Sequence, residues 1–223
     1  MRHRWLTLLV VVFLAAVIFL LYYFRLQPVW TPDQSDNKTE TQTSNSIKTL
    51  TAPTISFVNP KIGAASPKVT VVVFSDFQCS ACKDLAENLT VLTNTVPEVQ
   101  VVWKNMPNES AHTLAVPAAV AALCAGNQGK FWEYHQLIFD NQVILSENLF
   151  SQIAIELDLD TDKFQTCYSN KDTLPLIRQD FEEGTALSIT ATPTIFIGEE
   201  RLTGSMTADE LIVWVKSKMT VEK

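Results

Sequence analysis

The sequence predicts an α/β domain in which a long all-helical segment separates two groups of strands. Three observations lead to this prediction. A continuous apolar, β-branched run, Val69 to Phe74, is typical of a buried central strand and leads into a helix. From about 111 to 187 the apolar residues follow helical spacing. Strand-like segments then return from Thr194.

Residues 1–24 are predicted to be a short cytoplasmic tail and a membrane anchor. The run from 5 to 24 has 20 residues without a charge, and as a helix it would span about 30 Å, the thickness of the bilayer core. Arg2 and Arg4 precede the run while only Arg25 follows it closely, so the positive-inside rule places the rest of the chain outside the cytoplasm. The alternative is a cleaved signal peptide, but the run is long for one and lacks a small-x-small cleavage site.

Residues 25–54 are predicted to be a flexible polar linker, because they are rich in Thr, Ser, Asn, Asp, Gln and Lys. Residues 55–223 are long enough for a single domain with one substantial core. The chain has 24 acidic and 17 basic residues and a net charge of −7 at pH 7. This balance argues against binding to nucleic acid.

The remaining elements follow from local signals. A helix is predicted from Cys79 to about Thr93, and a second strand from Val99 to Lys104. After the helical segment, a two-residue turn at Gly198-Glu199 predicts a hairpin, and the capping box Thr207-x-x-Glu210 begins a last helix. Within the helical segment the predicted helices are Pro117 to Gly126, Phe131 to Phe139, Ser146 to Leu157, and two more around Phe164 to Tyr168 and Leu174 to Phe181. On the last of these, Leu174, Ile177 and Phe181 are predicted to share one face.

Cys79-Ser80-Ala81-Cys82 stands where the first strand turns into its helix. Two thiols at this spacing can close a disulfide across the first helical turn, and the helix amides and dipole favour a thiolate on the first sulfur. This pattern points to thiol-disulfide exchange, with Cys79 as nucleophile and Cys82 as the resolving thiol. Half a zinc site or an inert disulfide gives the same motif in isolation, but no second close ligand pair is present, so no metal site is predicted.

Thr192-Pro193 precedes the returning strand and is a candidate cis-proline loop. Together with the two cysteines it suggests one redox site assembled from distant parts of the chain.

Several ordered motifs resemble the DsbA-like thiol-disulfide oxidoreductases. They are Phe74-Ser75-Asp76-Phe77-Gln78-Cys79-Ser80-Ala81-Cys82, Cys124-Ala125 followed by Gly129-Lys130-Phe131-Trp132-Glu133-Tyr134-His135, Phe164 with Cys167, and Thr192-Pro193-Thr194 with Gly204. The resemblance covers roughly residues 69 to 219. It implies a thioredoxin-like fold with an all-helical insertion at about 111–187. It also implies a protein of the cell envelope, and the similarity to membrane-anchored members implies a bacterial source.

The same resemblance implies a function. Such proteins donate, shuffle or remove disulfides in exported protein substrates with thiols, and need no cofactor beyond the redox-active disulfide. The backbone of Thr192, ahead of Pro193, would pair with the extended substrate. The redox partner would be a membrane quinone-coupled oxidase of the DsbB or VKOR type, or a reductant.

The chain departs from the family pattern near the active cysteines. Many members have Pro followed by His or Tyr where this chain has Ser80 and Ala81, and relatives often bury a carboxylate where it has Val73. Asp76 is either a partial replacement, acting as proton acceptor and tuning the thiols, or a solvated turn residue.

The remaining cysteines and histidines are predicted to be structural. Cys124 and Cys167 lie on predicted helices near apolar faces, and in an exported domain they would form a stabilising bridge rather than a second catalytic pair. His135, within an aromatic cluster, and His112, ahead of the Ala-rich helix, are interpreted as packing or surface residues.

Three functions are compatible with the sequence: a disulfide-forming oxidase, a disulfide isomerase or reductase of the same fold, and a non-enzymatic tethered binding or metal-handling domain. The reduction potential of the cysteine pair would separate the first two, and metal content would test the third.

Overall fold

The computed structural model describes Leu14, residues 16–22 and residues 50–219. The chain divides into two compact units, Met1–Ser46 and Ile47–Lys223, and the five-stranded sheet belongs to the second. Leu14 and residues 16–22 are helical. No helix in the part of the chain that the structure describes is long and apolar enough to cross a membrane. Most of the predicted anchor and linker lies outside the described residues.

The sheet has the strand order β1-β3-β2-β4-β5. Its strands are β1 (Lys61–Gly63), β2 (Val69–Ser75), β3 (Val99–Asn105), β4 (Thr194–Ile197) and β5 (Glu200–Thr203). β2 pairs in parallel with β3 and antiparallel with β4, while β1 and β5 pair antiparallel at the edges. The parallel pair requires a crossover, which the helix after β2 provides.

Seven α-helices accompany the sheet in the second unit's described part. They are α1 (Ser80–Thr95), α2 (Ala115–Gly126), α3 (Phe131–Asp140), α4 (Glu147–Glu156), α5 (Thr161–Asn170), α6 (Leu174–Ala186) and α7 (Ala208–Met219), with a 3₁₀ turn at Gln142–Ile144. Helices α2 to α6 form the insertion between β3 and β4, so the predicted thioredoxin-like α/β arrangement with its helical segment is confirmed.

The sheet lies between two apolar layers. On one face, residues such as Val71 and Val101 pack against Leu85 of α1 and Leu211 of α7. On the other face, Phe74 and its neighbours pack against the chain that follows α6. Alternation of side chains along each strand produces this division.

Gly184 permits a close approach of α6 to the sheet. A Cβ atom at this position would lie 2.6 Å from Sδ of Met106 and 3.3 Å from Cδ1 of Phe74. A larger residue would therefore push α6 away from β2 and β3.

Two features differ from the sequence predictions. β1 was not predicted, since a three-residue edge strand has too few residues to show an alternating pattern. Phe181 was predicted on the face shared with Leu174 and Ile177, but Phe181 is 43% exposed. The other predicted strands and helices are present, with boundaries that differ by a few residues.

Candidate active site

Cys79 is the N-cap of helix α1, at the end of the turn that follows β2. Its Sγ accepts a hydrogen bond from the backbone N–H of Cys82 at 3.3 Å, and its own N–H donates to the Asp76 carbonyl at 3.1 Å. An N-cap acceptor satisfies one of the free amides of the first helical turn, and the positive end of the helix favours an anion there.

These surroundings lower the pKa of the Cys79 thiol from an ordinary value of 9.0 to about 6. The hydrogen bond with the Cys82 side chain is the largest cause, and bonds with the side chain of Thr192 and the backbone of Cys82 add to it; burial and the Asp76 charge act in the opposite direction. A thiol of this acidity is largely thiolate at neutral pH, the form that reacts in exchange.

Cys82 lies one turn deeper and is only 1% exposed. Burial, followed by the neighbouring Cys79, raises the pKa of its thiol far above the ordinary value. Neither thiol is in a disulfide in this structure.

Thr192 and Pro193 lie beside Cys79, as predicted for one assembled site. The Thr192-Pro193 bond is cis. In its protonated form the Cys79 thiol donates to the Thr192 carbonyl, and the two atoms lie 3.4 Å apart across 113 positions of sequence. The antiparallel pairing of β4 with β2, in which Thr194 faces Phe74, brings the loop to this place. Ser80 is exposed and Ala81 is half-buried in the first turn.

Asp76 is not a solvated turn residue. It is 2% exposed, and its carboxylate accepts hydrogen bonds from the N–H groups of Gln78 at 2.7 Å and Asn108 at 2.8 Å. His112 Nδ1 lies 2.8 Å from the same carboxylate, and the His112 side chain is 27% exposed. The sequence-based interpretation of His112 as a packing or surface residue missed this contact.

His135 is buried in the core of the insertion, where its ring packs against Trp103 at a centroid distance of 4.6 Å. Burial lowers its pKa to about 3, so the imidazole is neutral at physiological pH. Its Nε2 has no hydrogen-bond partner among the described residues. These surroundings fit the predicted packing role.

Cys124 of α2 and Cys167 of α5 form a disulfide across 43 positions of sequence. Both residues are buried in the apolar core of the insertion. No group of His, Cys, Asp or Glu residues that could hold a metal ion occurs within residues 50–219 or the short described N-terminal helix.

A family model described as Thioredoxin matches residues 58–217. Among solved structures, a thioredoxin-like oxidoreductase from Silicibacter pomeroyi DSS-3 is 25% identical with a TM-score of 0.65, covering 73% of this chain and 92% of that one. The thiol-disulfide exchange protein alpha-DsbA2 from Wolbachia pipientis is 20% identical with a TM-score of 0.66, covering 73% and 88%, which is a likeness of fold. The chain belongs to the thioredoxin family.

This member of the thioredoxin family also resembles part of a larger curated protein. The Na(+)/H(+) antiporter NhaA 1 of Salinispora arenicola is 32% identical over 155 residues, which are 70% of this chain and 24% of the antiporter. The chain thus spans about a quarter of the length of the curated relatives that it matches.

The thioredoxin-family domain contains a buried ionic cluster that the sequence analysis did not predict. Lys104 of β3 is 1% exposed at its side chain, and its Nζ lies 2.7 Å from Glu183 and 3.1 Å from Asp180, both on α6. Asp180 also accepts from the N–H of Asn105 at 3.0 Å and from Asn59 at 3.3 Å. A lysine at the end of an apolar strand gives no signal that its partners stand more than seventy positions later.

A cavity of about 690 Å³ opens next to Thr192. Apolar side chains of Met106, Val116, Ile177 and Phe181 contribute to its lining, and Arg178 and Glu182 are among its charged residues. The exposure of Phe181 is explained by its place in this lining.

Proposed function

We propose that the chain is an extracytoplasmic thiol-disulfide oxidoreductase that forms disulfides in exported proteins through Cys79 and Cys82. The observation that carries the proposal is the contrast between the two sulfurs. Cys79 has a pKa lowered to about 6 and contacts Thr192 beside the cis-proline, while Cys82 is buried with a raised pKa.

In the oxidised enzyme, a substrate thiolate attacks Cys79 Sγ and the Cys79–Cys82 bond breaks. Cys82 leaves with the electron pair and takes a proton, in keeping with its raised pKa. A second substrate thiolate then attacks the substrate sulfur of the mixed disulfide and displaces Cys79 as a thiolate. The substrate loses two electrons, and the enzyme is left as the dithiol.

The low pKa of Cys79 supports the oxidase in particular. A stabilised thiolate is a good leaving group, and it stabilises the reduced enzyme, which makes the disulfide form a stronger oxidant. Ser80 and Ala81, between the two cysteines, have no ring that could further stabilise the Cys79 thiolate. The disulfide isomerase or reductase is the alternative, and it requires a partner that keeps the pair reduced.

The substrate is proposed to be an extended protein segment. The Thr192 backbone can pair with such a segment, and the cavity beside it can accept an apolar side chain near the substrate cysteine. The enzyme would use no cofactor other than its own disulfide.

The proposed location is the outer face of the membrane of a bacterial cell. The Cys124–Cys167 disulfide fits an oxidising compartment. The uncharged run at residues 5–24 is proposed as a single-pass anchor with a cytoplasmic N-terminus, residues 25–54 as the linker, and residues 55–223 as the catalytic domain. A quinone-coupled membrane oxidase would then accept the two electrons.

The test combines trapping with a measured potential. With reduced, unfolded ribonuclease as substrate, the wild-type protein should form disulfides and the Cys79→Ser variant should not. Cys82→Ser should accumulate DTT-sensitive adducts on Cys79. Adducts on Cys82 in the Cys79→Ser variant would reverse the assignment of the nucleophile.

The reduction potential then separates oxidase from reductase. A value near or above about −200 mV supports the oxidase, whereas a value near about −270 mV, typical of thioredoxin, supports the reductase.

A further inference from the structure

We propose that Asp76 and His112 form a charge pair that adjusts how readily Cys79 becomes a thiolate, with protonated His112 cancelling the charge of Asp76. The inference rests on the proposed function, since it concerns the same nucleophile. It makes His112 a positioning and tuning residue that acts through Asp76 and does not itself touch the reacting sulfur.

Asp76 is fixed in the same turn as Cys79. Its carbonyl accepts the Cys79 N–H at 3.1 Å, and its Oδ1 accepts the N–H of Gln78 at 2.7 Å. Oδ2 faces the loop after β3, where it meets Asn108 N and His112 Nδ1, each at 2.8 Å. The carboxylate therefore cannot move away from the nucleophile without breaking these bonds.

The charge of Asp76 opposes ionisation of Cys79: it acts to raise the pKa of that thiol, against the net lowering that the hydrogen bond with Cys82 chiefly produces. A neutral imidazole on the carboxylate leaves this negative charge in place, whereas an imidazolium makes the pair neutral overall. Because Asp76 is buried, the difference is screened less than it would be at the surface.

His112 is placed to act on the charge of Asp76. Its Nδ1 is held against the Asp76 carboxylate, while the side chain is 27% exposed and its other ring nitrogen is within reach of water. The active-site motif contains Ser80 and Ala81 instead of a ring, so an imidazole reaches this site from the loop after β3.

Other charged groups lie on elements that border the site. Lys83 and Asp84 belong to α1, whereas Glu109 of the loop after β3, Lys171 after α5, and Arg178 and Glu182 of α6 line the cavity. None of them is a hydrogen-bond partner of the Asp76 side chain in the described part of the chain. His135 is uncharged because burial lowers its pKa to about 3.

The experiment measures the ionisation of Cys79 in the reduced, full-length protein. Thiolate absorbance at 240 nm and the rate of alkylation of Cys79 by iodoacetamide, located by mass spectrometry, are followed from pH 4 to 9. The variants are His112→Gln, Asp76→Asn and the double substitution. Glu109→Gln is the matched control, because it removes a carboxylate from the same loop at an exposed position.

His112→Gln keeps a side-chain N–H donor but cannot become a cation. It should move the ionisation midpoint of Cys79 upward by about half a pH unit or more, and Asp76→Asn should move it downward. In the Asp76→Asn background the His112→Gln substitution should have less than half of its wild-type effect, and Glu109→Gln should shift the midpoint by less than about 0.2.

An unchanged midpoint in folded His112→Gln would overturn the inference and leave His112 as a loop anchor only. The charge pair is also refuted if His112→Gln and Asp76→Asn shift the midpoint in the same direction. Should Asp76→Asn fail to fold, the ionisation midpoints of Cys79 in His112→Gln and Glu109→Gln still test the inference, since both substitutions lie in the loop after β3. If the wild-type protein shows no disulfide exchange, the proposed function is refuted instead.

Discussion

Cys79 and Cys82 are separated by one helical turn, yet their thiols have opposite properties. Cys79 is the N-cap and receives a helix amide, while Cys82 lies inside the helix on its buried face. The position of each sulfur relative to the end of α1 therefore determines which one ionises.

This difference predicts a pH-dependent stability of the reduced protein. The folded pKa of Cys79, about 6, is below the ordinary value of 9.0. The stabilisation is therefore fully present above about pH 9 and is lost as the pH falls through about 6. Urea unfolding of the reduced protein should show stability relative to Cys79→Ser rising between pH 6 and 9. Parallel curves for the two proteins over this range would contradict the assignment.

Lys104 of β3 is buried and forms ion pairs with Asp180 and Glu183 of α6. Burial raises the pKa of Asp180 despite its bonds to Asn105 and Lys104. Burial also acts to raise the pKa of Glu183, but bonds from Lys104 and Thr54 outweigh it and the result is lowered. We take Glu183 as the charged partner of Lys104, because it is the closer and the less buried of the two carboxylates.

Replacing Lys104 by Met should destabilise the domain by about 3 to 5 kcal/mol, since it leaves the Glu183 carboxylate without its cation. Lys68→Met is the matched control. It removes a lysine that pairs with Glu98 at 3.3 Å on the surface, and it should cost less than about 1 kcal/mol. Denaturant unfolding measures both losses, and equal losses would show that the buried cluster contributes little to stability.

At the scale of elements, the Cys124–Cys167 disulfide ties α2 to α5 within an insertion that has no strands. Replacing both cysteines by Ala should lower the free energy of unfolding by about 2 to 5 kcal/mol while Cys79 and Cys82 still exchange with a small thiol. Thermal unfolding and exchange assays test the two halves of this prediction. Unchanged stability with much slower turnover would mean that the second pair relays electrons.

The elements that sequence could predict are those with a strong local pattern. The apolar run at Val69 to Phe74, the helical spacing after 111 and the Gly198-Glu199 turn all act over a few residues, and each appears in the structure. The cysteine motif was equally visible, because its chemistry depends on a spacing within one helical turn.

Contacts between distant residues could not be predicted in this way. Asp76 and His112 are 36 positions apart, and whether they meet depends on the path of the loop after β3. In the sequence, Lys104 resembled the end of an ordinary strand. In the structure it is buried, and carboxylates of α6 pair with its ammonium group. In both cases tertiary packing, which has no periodic signal, decides the environment.

On the scale of the whole molecule, the site depends on the sheet joining two halves of the chain. β2 carries the cysteines toward the site and β4 follows the cis-proline, with all five insertion helices between them in sequence. The pairing of β2 with β4 therefore sets Thr192 against Cys79.

Topology is testable with protease added outside intact cells. Cleavage should occur between residues 31 and 54, releasing the domain and leaving the anchor in the membrane, because a polar linker is accessible to proteases. Recovery from untreated cells of a soluble protein that lacks residues 1–24 would identify the segment as a signal peptide instead.

The two active thiols differ in reactivity. The number of cysteines that a thiol reagent labels can therefore report whether the protein is folded and which disulfides are intact. The chain has four cysteines, two of them joined in the insertion and two free. A bulky maleimide should find one reactive sulfur in the native reduced domain, because the pKa of Cys79 is lowered to about 6, whereas Cys82 has a raised pKa and is only 1% exposed. It should find two after unfolding and all four once the Cys124–Cys167 bond is also reduced, so three band shifts on a gel report three levels of structure.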